Sequence, residues 1–289
     1  MSLESENFLE KIMLEKLKKQ LREATGIDCE GYRPEYLKRR LEIRLRATNS
    51  KTYGDYARYL KANPKEHDLL LNDLTINYSL FFRDSDVFLF LKGNIFPEFF
   101  SSKTARIWSA GCATGEEPYS LAILANECKS RSMKDLQVTI YASDVDRDAL
   151  AKAARGEYDL KSLQGVDQSL VDKYFVREGE MFRVKDFVKQ SVRFERHDLM
   201  TLPSHQNLDL ILCRNVMIYF SRESQQKIHM HFYHSLKEGG YLVIGKTEML
   251  SGEPSKKFVC VDSGARVYKK TEEIIGLEKP TTIPVEYIK

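Results

Sequence analysis

The segment Trp108–Ile123 reads WSAGCATGEEPYSLAI. An apolar run enters a turn containing Gly111 and Gly115, and a helical pattern follows. Bare N–H groups and the helix dipole make such a place attractive to anions. Yet two carboxylates, Glu116 and Glu117, open the helix. They would repel a triphosphate, and Glu116 stands where a phosphate-binding loop carries lysine. The G-x-G-x-x-G dinucleotide fingerprint is absent. A ligand with positive charge and sugar hydroxyls but no phosphate suits these residues better, and S-adenosylmethionine is such a ligand. Carboxylates attract its sulfonium and ammonium groups and accept hydrogen bonds from its ribose. Asp144, which closes YASD, is suited to the ribose hydroxyls. The plainer alternatives are dipole compensation by the two glutamates beside Pro118 and an N-cap role for Asp144.

These residues need a scaffold. From about residue 100 the pattern alternates. ARIWSAG, QVTIYASD, VRFERHD, LDLILCRN, YLVIGKTE, KFVCVDS and ARVYKK read as strands. EEPYSLAILANECKS, VDRDALAKAARG and SRESQQKIHMHFYHSLKEGG read as helices, the last closed by its glycines. Continuous apolar strands separated by helices predict an α/β fold, a doubly wound, mostly parallel sheet spanning 101–270. Residues 156–192 break the rhythm and predict a small inserted antiparallel β-subdomain, with a hairpin tip at Glu178-Gly179-Glu180. Before the sheet, residues 1–76 predict an all-helical domain and 77–100 a linker. In the first helix Phe8, Ile12, Leu14, Leu17 and Leu21 fall near a 3.6-residue period, and Gly26 stops it. Leu37, Leu41 and Leu45 mark the second helix, and two shorter ones follow. Residues 271–289 read as a loose tail, and Met1-Ser2-Leu3 reads as a possible cloning scar.

The net charge of +3 over 289 residues does not by itself suggest nucleic acid. The charge is uneven, however: residues 33–65 carry ten basic side chains against three acids. Arg39, Arg40, Arg44 and Arg46 belong to that segment, as a solvated face or as a docking surface for an acidic partner. The five scattered cysteines form no C-x-x-C pair, so neither a disulfide framework nor a zinc site is expected, and a reducing, cytoplasmic setting fits. There is neither a signal-peptide pattern nor an apolar run long enough to span a bilayer. His229, His231 and His234 lack a carboxylate to complete a metal set and read as structural.

Together with TINYSLFFRD, RFERHDLM and LDLILCRNVMIYF, the glycine-turn segment resembles the CheR-type chemoreceptor methyltransferases over nearly the whole chain. The resemblance implies a class I methyltransferase-like fold and S-adenosylmethionine-dependent O-methylation of glutamate side chains on chemoreceptor helices. It leaves S-adenosylhomocysteine as product. By position, Asn77, Ser79 and Arg83 would reach the cofactor pocket from the linker. Glu117 and Asp144 would hold its amino-acid and ribose parts above Gly111. Asp198-Leu199 and Asn215-Val216 would border the adenine and methyl-donor region. Ser79 stands where the family often has threonine, and Asp198 where it often has asparagine, which loses an amide donor. The short hairpin YFVREGEMFRV lacks the extra glycine-containing loop of members that grip a receptor tail, so a tail-independent enzyme is expected.

Such a reaction needs no general base, because more than ~99% of glutamate is ionised near neutral pH. It needs alignment and desolvation of two opposite charges. Arg83 is the candidate for orienting a carboxylate bidentately, the alternative being an ion pair with Asp84 or Asp86. Tyr219 is the candidate for a hydrogen bond near the methyl centre, the alternative being packing beside Phe220. The expected partners are acidic cytoplasmic receptor helices along the basic segment, with no nucleic acid, no membrane insertion and a monomeric chain. One rival is a non-catalytic cofactor-sensing module. Another is a nucleic-acid methyltransferase, disfavoured because RNVMIYF lacks the proline motif of amino-group methylases and no cysteine follows a proline. A small-molecule methyltransferase would leave the basic helical segment without a role.

Overall fold

A computed structural model describes residues 3–132 and 136–271. Residues 1–2 and most of the expected tail, 272–289, lie outside the described residues.

Four helices build the first unit: α1 (Leu3–Thr25), α2 (Pro34–Ala47), α3 (Tyr53–Ala62) and α4 (Glu66–Leu74). Each turns an apolar stripe inward. Leu17 and Leu21, Leu37 and Leu41, Tyr56 and Leu60, and Leu70 and Leu74 close one core. Local signals set the ends: Pro34 opens α2, and Thr52 and Asp55 exchange a reciprocal capping box at α3.

The expected linker is largely helical. α5 (Ser85–Phe90) and α6 (Phe96–Ser102) are joined by a single wide turn over Leu91–Ile95. Val87, Leu91, Ile95 and Phe96 bury against the sheet, which is why the segment coils rather than spans.

The main sheet then forms from β1 (Thr104–Ala110), β2 (Gln137–Asp144), β6 (Val192–Arg196), β7 (Leu208–Cys213), β8 (Leu236–Ile244), β9 (Phe258–Asp262) and β10 (Val267–Lys270). Its order is β6-β2-β1-β7-β8-β10-β9, parallel from β6 to β8 and antiparallel beyond. Alternate residues feed opposite cores. Ile107, Leu210, Leu212 and Val243 face α7 (Glu116–Ser132), while Trp108, Ile211, Cys213 and Leu242 face α11 (Arg222–Ser235). The chain order reverses between β2 and β7 around β1, and ligands of such sheets sit beyond the strand ends at that point.

Helix α8 (Arg147–Arg155) leads into the insert, which holds β3 (Glu157–Asp159), α9 (Gln168–Tyr174), β4 (Phe175–Glu178), β5 (Met181–Val184) and α10 (Asp186–Lys189). The expected hairpin is β4–β5, turning through Gly179 (φ 65°), and β3 adds a third strand in the order β3-β5-β4. A short α12 (Pro254–Lys257) precedes β9.

One boundary differs from expectation. Helix α11 stops at Ser235, and Leu236 already pairs with Leu208. The register then shifts so that Tyr241 meets Leu210, and Lys237 pairs with Asp209. Pairing with β7 therefore outcompetes one more helical turn.

Candidate active site

The glycine turn ties two strand ends together. The N–H groups of Gly111 and Cys112 both donate to the Ser143 carbonyl, at 2.8 and 2.9 Å. Gly111 has φ 76°, and a Cβ there would lie 2.6 Å from Cγ2 of Val216, so this position needs glycine twice over. Ala113 N donates to Asp144 Oδ2 at 2.8 Å and Asp146 N to Oδ1 at 3.0 Å. One backbone donor thus fixes each oxygen of Asp144 and leaves each a further lone pair. Burial raises the pKa of Asp144 against these bonds.

The two glutamates at the start of α7 part company. Glu116 is 1% exposed and accepts the Thr114 hydroxyl at 2.7 and 2.9 Å. It faces inward and is not part of the cavity wall, which corrects the expectation of a paired acidic rim. Glu117 does line the cavity and accepts Ser109 Oγ at 2.8 Å. Burial raises its pKa, opposed by Arg214, whose Nη1 lies 3.4 Å away.

Arg214 is the residue that sequence reasoning missed. Its side chain is 2% exposed, and Nη2 pairs with Asp84 and donates to the Arg83 carbonyl at 3.0 Å. Its Nε has no partner. The available signal was its place beside Asn215 at the end of β7, where a ligand of this sheet must lie. Tyr32, Tyr78 and His197 also line the cavity and carried no such signal.

The alternative partners of Arg83 are taken. Asp84 pairs with Arg214, and Asp86 pairs with Lys246 at 2.7 Å. Arg83 donates to the Tyr78 carbonyl at 3.3 Å, lies over the Tyr78 ring, and forms no salt bridge among the described residues. Tyr219 packs on Tyr36 of α2, with ring centroids 4.8 Å apart. Burial raises its pKa, opposed by the charges of Arg40 and Arg83.

The remaining expected residues reach the same cavity by other routes. Asn77 Nδ2 donates to Asp146 at 2.6 Å, beside the Thr75 hydroxyl at 2.7 Å, and Asp146 itself caps α8. Asn77 is therefore an anchor for the linker, with one of its two amide N–H donors engaged. Ser79 lies beside Glu116; burial raises the pKa of Glu116, and the Ser79 hydroxyl is among the groups that oppose that rise. Asp198 accepts Met200 N at 2.9 Å and Asp28 N, from the helical unit, at 3.5 Å. Leu199 is buried, and Asn215 adopts φ 62° with its Oδ1 buried and unpartnered.

Asn77, Ser79, Arg83, Gly111, Glu117, Asp144, Asp198, Leu199, Asn215, Val216 and Tyr219 all line one cavity of about 1160 Å³, its mouth included. Its charged wall holds the carboxylates of Glu117, Asp144 and Asp198 and the guanidiniums of Arg83 and Arg214. The fit to S-adenosylmethionine rests on this donor set. Carboxylates are free to accept from hydroxyl and ammonium groups, and the buried Asn215 acceptor calls for an N–H donor.

On the basic segment the structure corrects one expectation. Arg44 is locked inside the helical unit by Glu66 at 2.9 Å and Asp73 at 3.0 Å, and cannot serve as a docking charge. Arg39 and Arg46 are exposed, and Arg40 is half-buried over the Tyr36 ring.

A doubly wound sheet with carboxylates beyond its switch point fits the site of an adenosyl cofactor. The family described as "CheR methyltransferase, SAM binding domain" matches residues 77–267, and "CheR methyltransferase, all-alpha domain" matches residues 12–75. The chain belongs to the CheR methyltransferase family, with S-adenosyl-L-methionine as its methyl donor. The chemotaxis protein methyltransferase of Listeria innocua is 32% identical over 227 residues, covering 78% of this chain and 85% of that one. That of Borreliella burgdorferi is 30% identical over 245 residues, covering 81% and 87%. Chemotaxis protein methyltransferase 2 of Vibrio cholerae is 32% identical over 236 residues, covering 78% and 82%.

Proposed function

We propose that this methyltransferase esterifies glutamate side chains on acidic helices of chemoreceptors, as a monomer in the cytoplasm and without a receptor tail peptide. The observation that carries the substrate assignment is Arg83, a cavity-wall guanidinium beside Tyr219 with no carboxylate partner among the described residues. It can donate two parallel N–H bonds to a substrate carboxylate. S-adenosylmethionine supplies an electrophilic sulfonium methyl, whose transfer to a carboxylate oxygen yields an ester and a neutral thioether. Glu117 and Asp144 would hold the amino-acid and ribose ends, and Asn215 the adenine side. Arg83 would aim one oxygen of the acceptor, and Tyr219 would steady the approach from the helical unit's side. Phe88, Leu199 and Val216 contribute apolar wall, and the less polar surroundings strengthen attraction between the two charged reactants.

The tail-independent reading is supported by the tight turn joining β4 and β5. No described helix is long and apolar enough to cross a membrane.

The test uses tritiated S-adenosylmethionine and a receptor cytoplasmic fragment lacking its tail. Label released as volatile methanol in mild base is the expected result, lost with Arg83→Ala. Base-stable label, or transfer only to fragments that keep the tail, would contradict the reading.

A further inference from the structure

The turn that carries Tyr219 lacks its own cap. Met217–Tyr219 forms one 3₁₀ turn, and its N-cap residue, Val216, has no side-chain acceptor to offer. The first N–H groups of such a turn need partners from elsewhere. They face a carboxylate from the loop after β8. Glu248 is 5% exposed and forms no salt bridge among the described residues. Its Oε2 accepts Gly245 N at 2.6 Å, while Oε1 has no partner within hydrogen-bond range. The backbone N–H groups of Asn215, Met217 and Ile218 stand close enough to favour its charge against the desolvation that raises its pKa. Gly245 keeps this contact open: a Cβ there would lie 2.8 Å from both Asn215 N and Glu248 Oε2.

The geometry points to Glu248 as a positioning residue, a carboxylate that holds the 215–219 loop, and with it Asn215, Val216 and Tyr219, against the cofactor cavity. A buried carboxyl without a cation is costly to ionise, and the backbone amides around it offset part of that cost. Asn215 sits in the left-handed region at φ 62°, which asparagine tolerates better than most side chains. The inference rests on the cavity being the cofactor site, and does not depend on which acceptor is methylated.

The experiment is calorimetric titration with S-adenosylhomocysteine, alongside thermal melting, of wild type, Glu248→Gln and Glu66→Gln. The amide turns an NH₂ toward backbone donors. Affinity is expected to fall about 10- to 100-fold in Glu248→Gln, the scale of a misplaced site. Glu66 is equally buried but pairs with Arg44 in the helical unit. Its variant should melt earlier with affinity unchanged. Wild-type affinity in Glu248→Gln, whatever its melting temperature, would overturn the inference. Should Glu248→Gln not fold, Gly245→Ala presses on the same loop with the carboxylate retained. A similar loss of affinity supports the inference, and wild-type affinity refutes it. Loss of affinity together with no base-labile methylation by wild type would sink the glutamate reading alone.

Discussion

Among the described residues, the two most buried guanidiniums that pair with carboxylates each lie between two of them. In the helical unit, Arg44 meets Glu66 through Nε and Nη2, each at 2.9 Å, and Asp73 through Nη1 at 3.0 Å. Tyr56 adds its hydroxyl to Glu66 at 2.9 Å. At the cavity, Arg214 meets Asp84 closely but Glu117 only at 3.4 Å, and its Nε has no partner. The first cluster is closed, with its charges answered by one another. The second is left open on the side where a ligand must sit. A satisfied buried network specifies a fold, whereas an unsatisfied one beside a cavity calls for a further partner.

The largest expected effect separates the two clusters. Arg214→Met leaves Glu117 and Asp84 without their cation, at a cost of about 3 kcal/mol. Methyl transfer should also fall by roughly 100-fold, since Arg214 holds the Arg83 segment. Arg44→Met should cost a similar stability, about 3 kcal/mol. It should leave S-adenosylhomocysteine affinity within about twofold, because the sites share no partner. Melting curves and calorimetry on both variants check this, and equal loss of affinity would erase the distinction.

Asp144→Asn comes next. It exchanges a carboxylate for an amide where hydroxyl donors are expected, a loss of about 1.5–3 kcal/mol. Calorimetry should show S-adenosylhomocysteine affinity lower by about 10- to 100-fold.

A pH titration sharpens the same contrast. Burial raises the pKa of Glu117 and of Asp144. A carboxyl raised in the folded state favours its protonated form there. It therefore lowers stability above its folded pKa, and that penalty is relieved as pH falls through it. Ligand binding has the opposite dependence, because the cationic ligand needs the carboxylates. Affinity should weaken on acidification while the pH is still above the ordinary carboxyl range of about 4, by at most about tenfold per pH unit for each group. Glu117→Gln should remove part of that dependence, and an unchanged profile would show that Glu117 is not titrating there.

The smallest effect lies on the surface. Reversing Arg39 and Arg46 should raise KM for a receptor fragment only a few-fold at low salt, about 1 kcal/mol or less, and not at high salt. Cofactor affinity should not change.

Some of this was legible in the sequence, and the pattern of success is physical. Strand and helix alternation is written locally, and so are the glycine turn and the acids that follow it. What escaped depends on distant pairing. Nothing near Arg44 announces that Glu66 and Asp73 will enclose it from α4. Glu116 and Glu117 look equivalent in the sequence, and only Thr114 on one side and Ser109 and Arg214 on the other tell them apart. The helix at 222–235 loses its expected last turn to a partner strand. Residues 77–100 read as a linker because apolar side chains such as Val87, Leu91, Ile95 and Phe96 have no meaning until the sheet is there to bury them.

The central claim is that the open cluster and its neighbouring carboxylates select an adenosyl cofactor without phosphates. Calorimetric titration of the wild-type protein with S-adenosylhomocysteine, ATP and NAD tests it most directly. The account predicts one tight site for S-adenosylhomocysteine and no measurable heat with either phosphorylated nucleotide. Tight binding of ATP or NAD, with no response to S-adenosylhomocysteine, would contradict it.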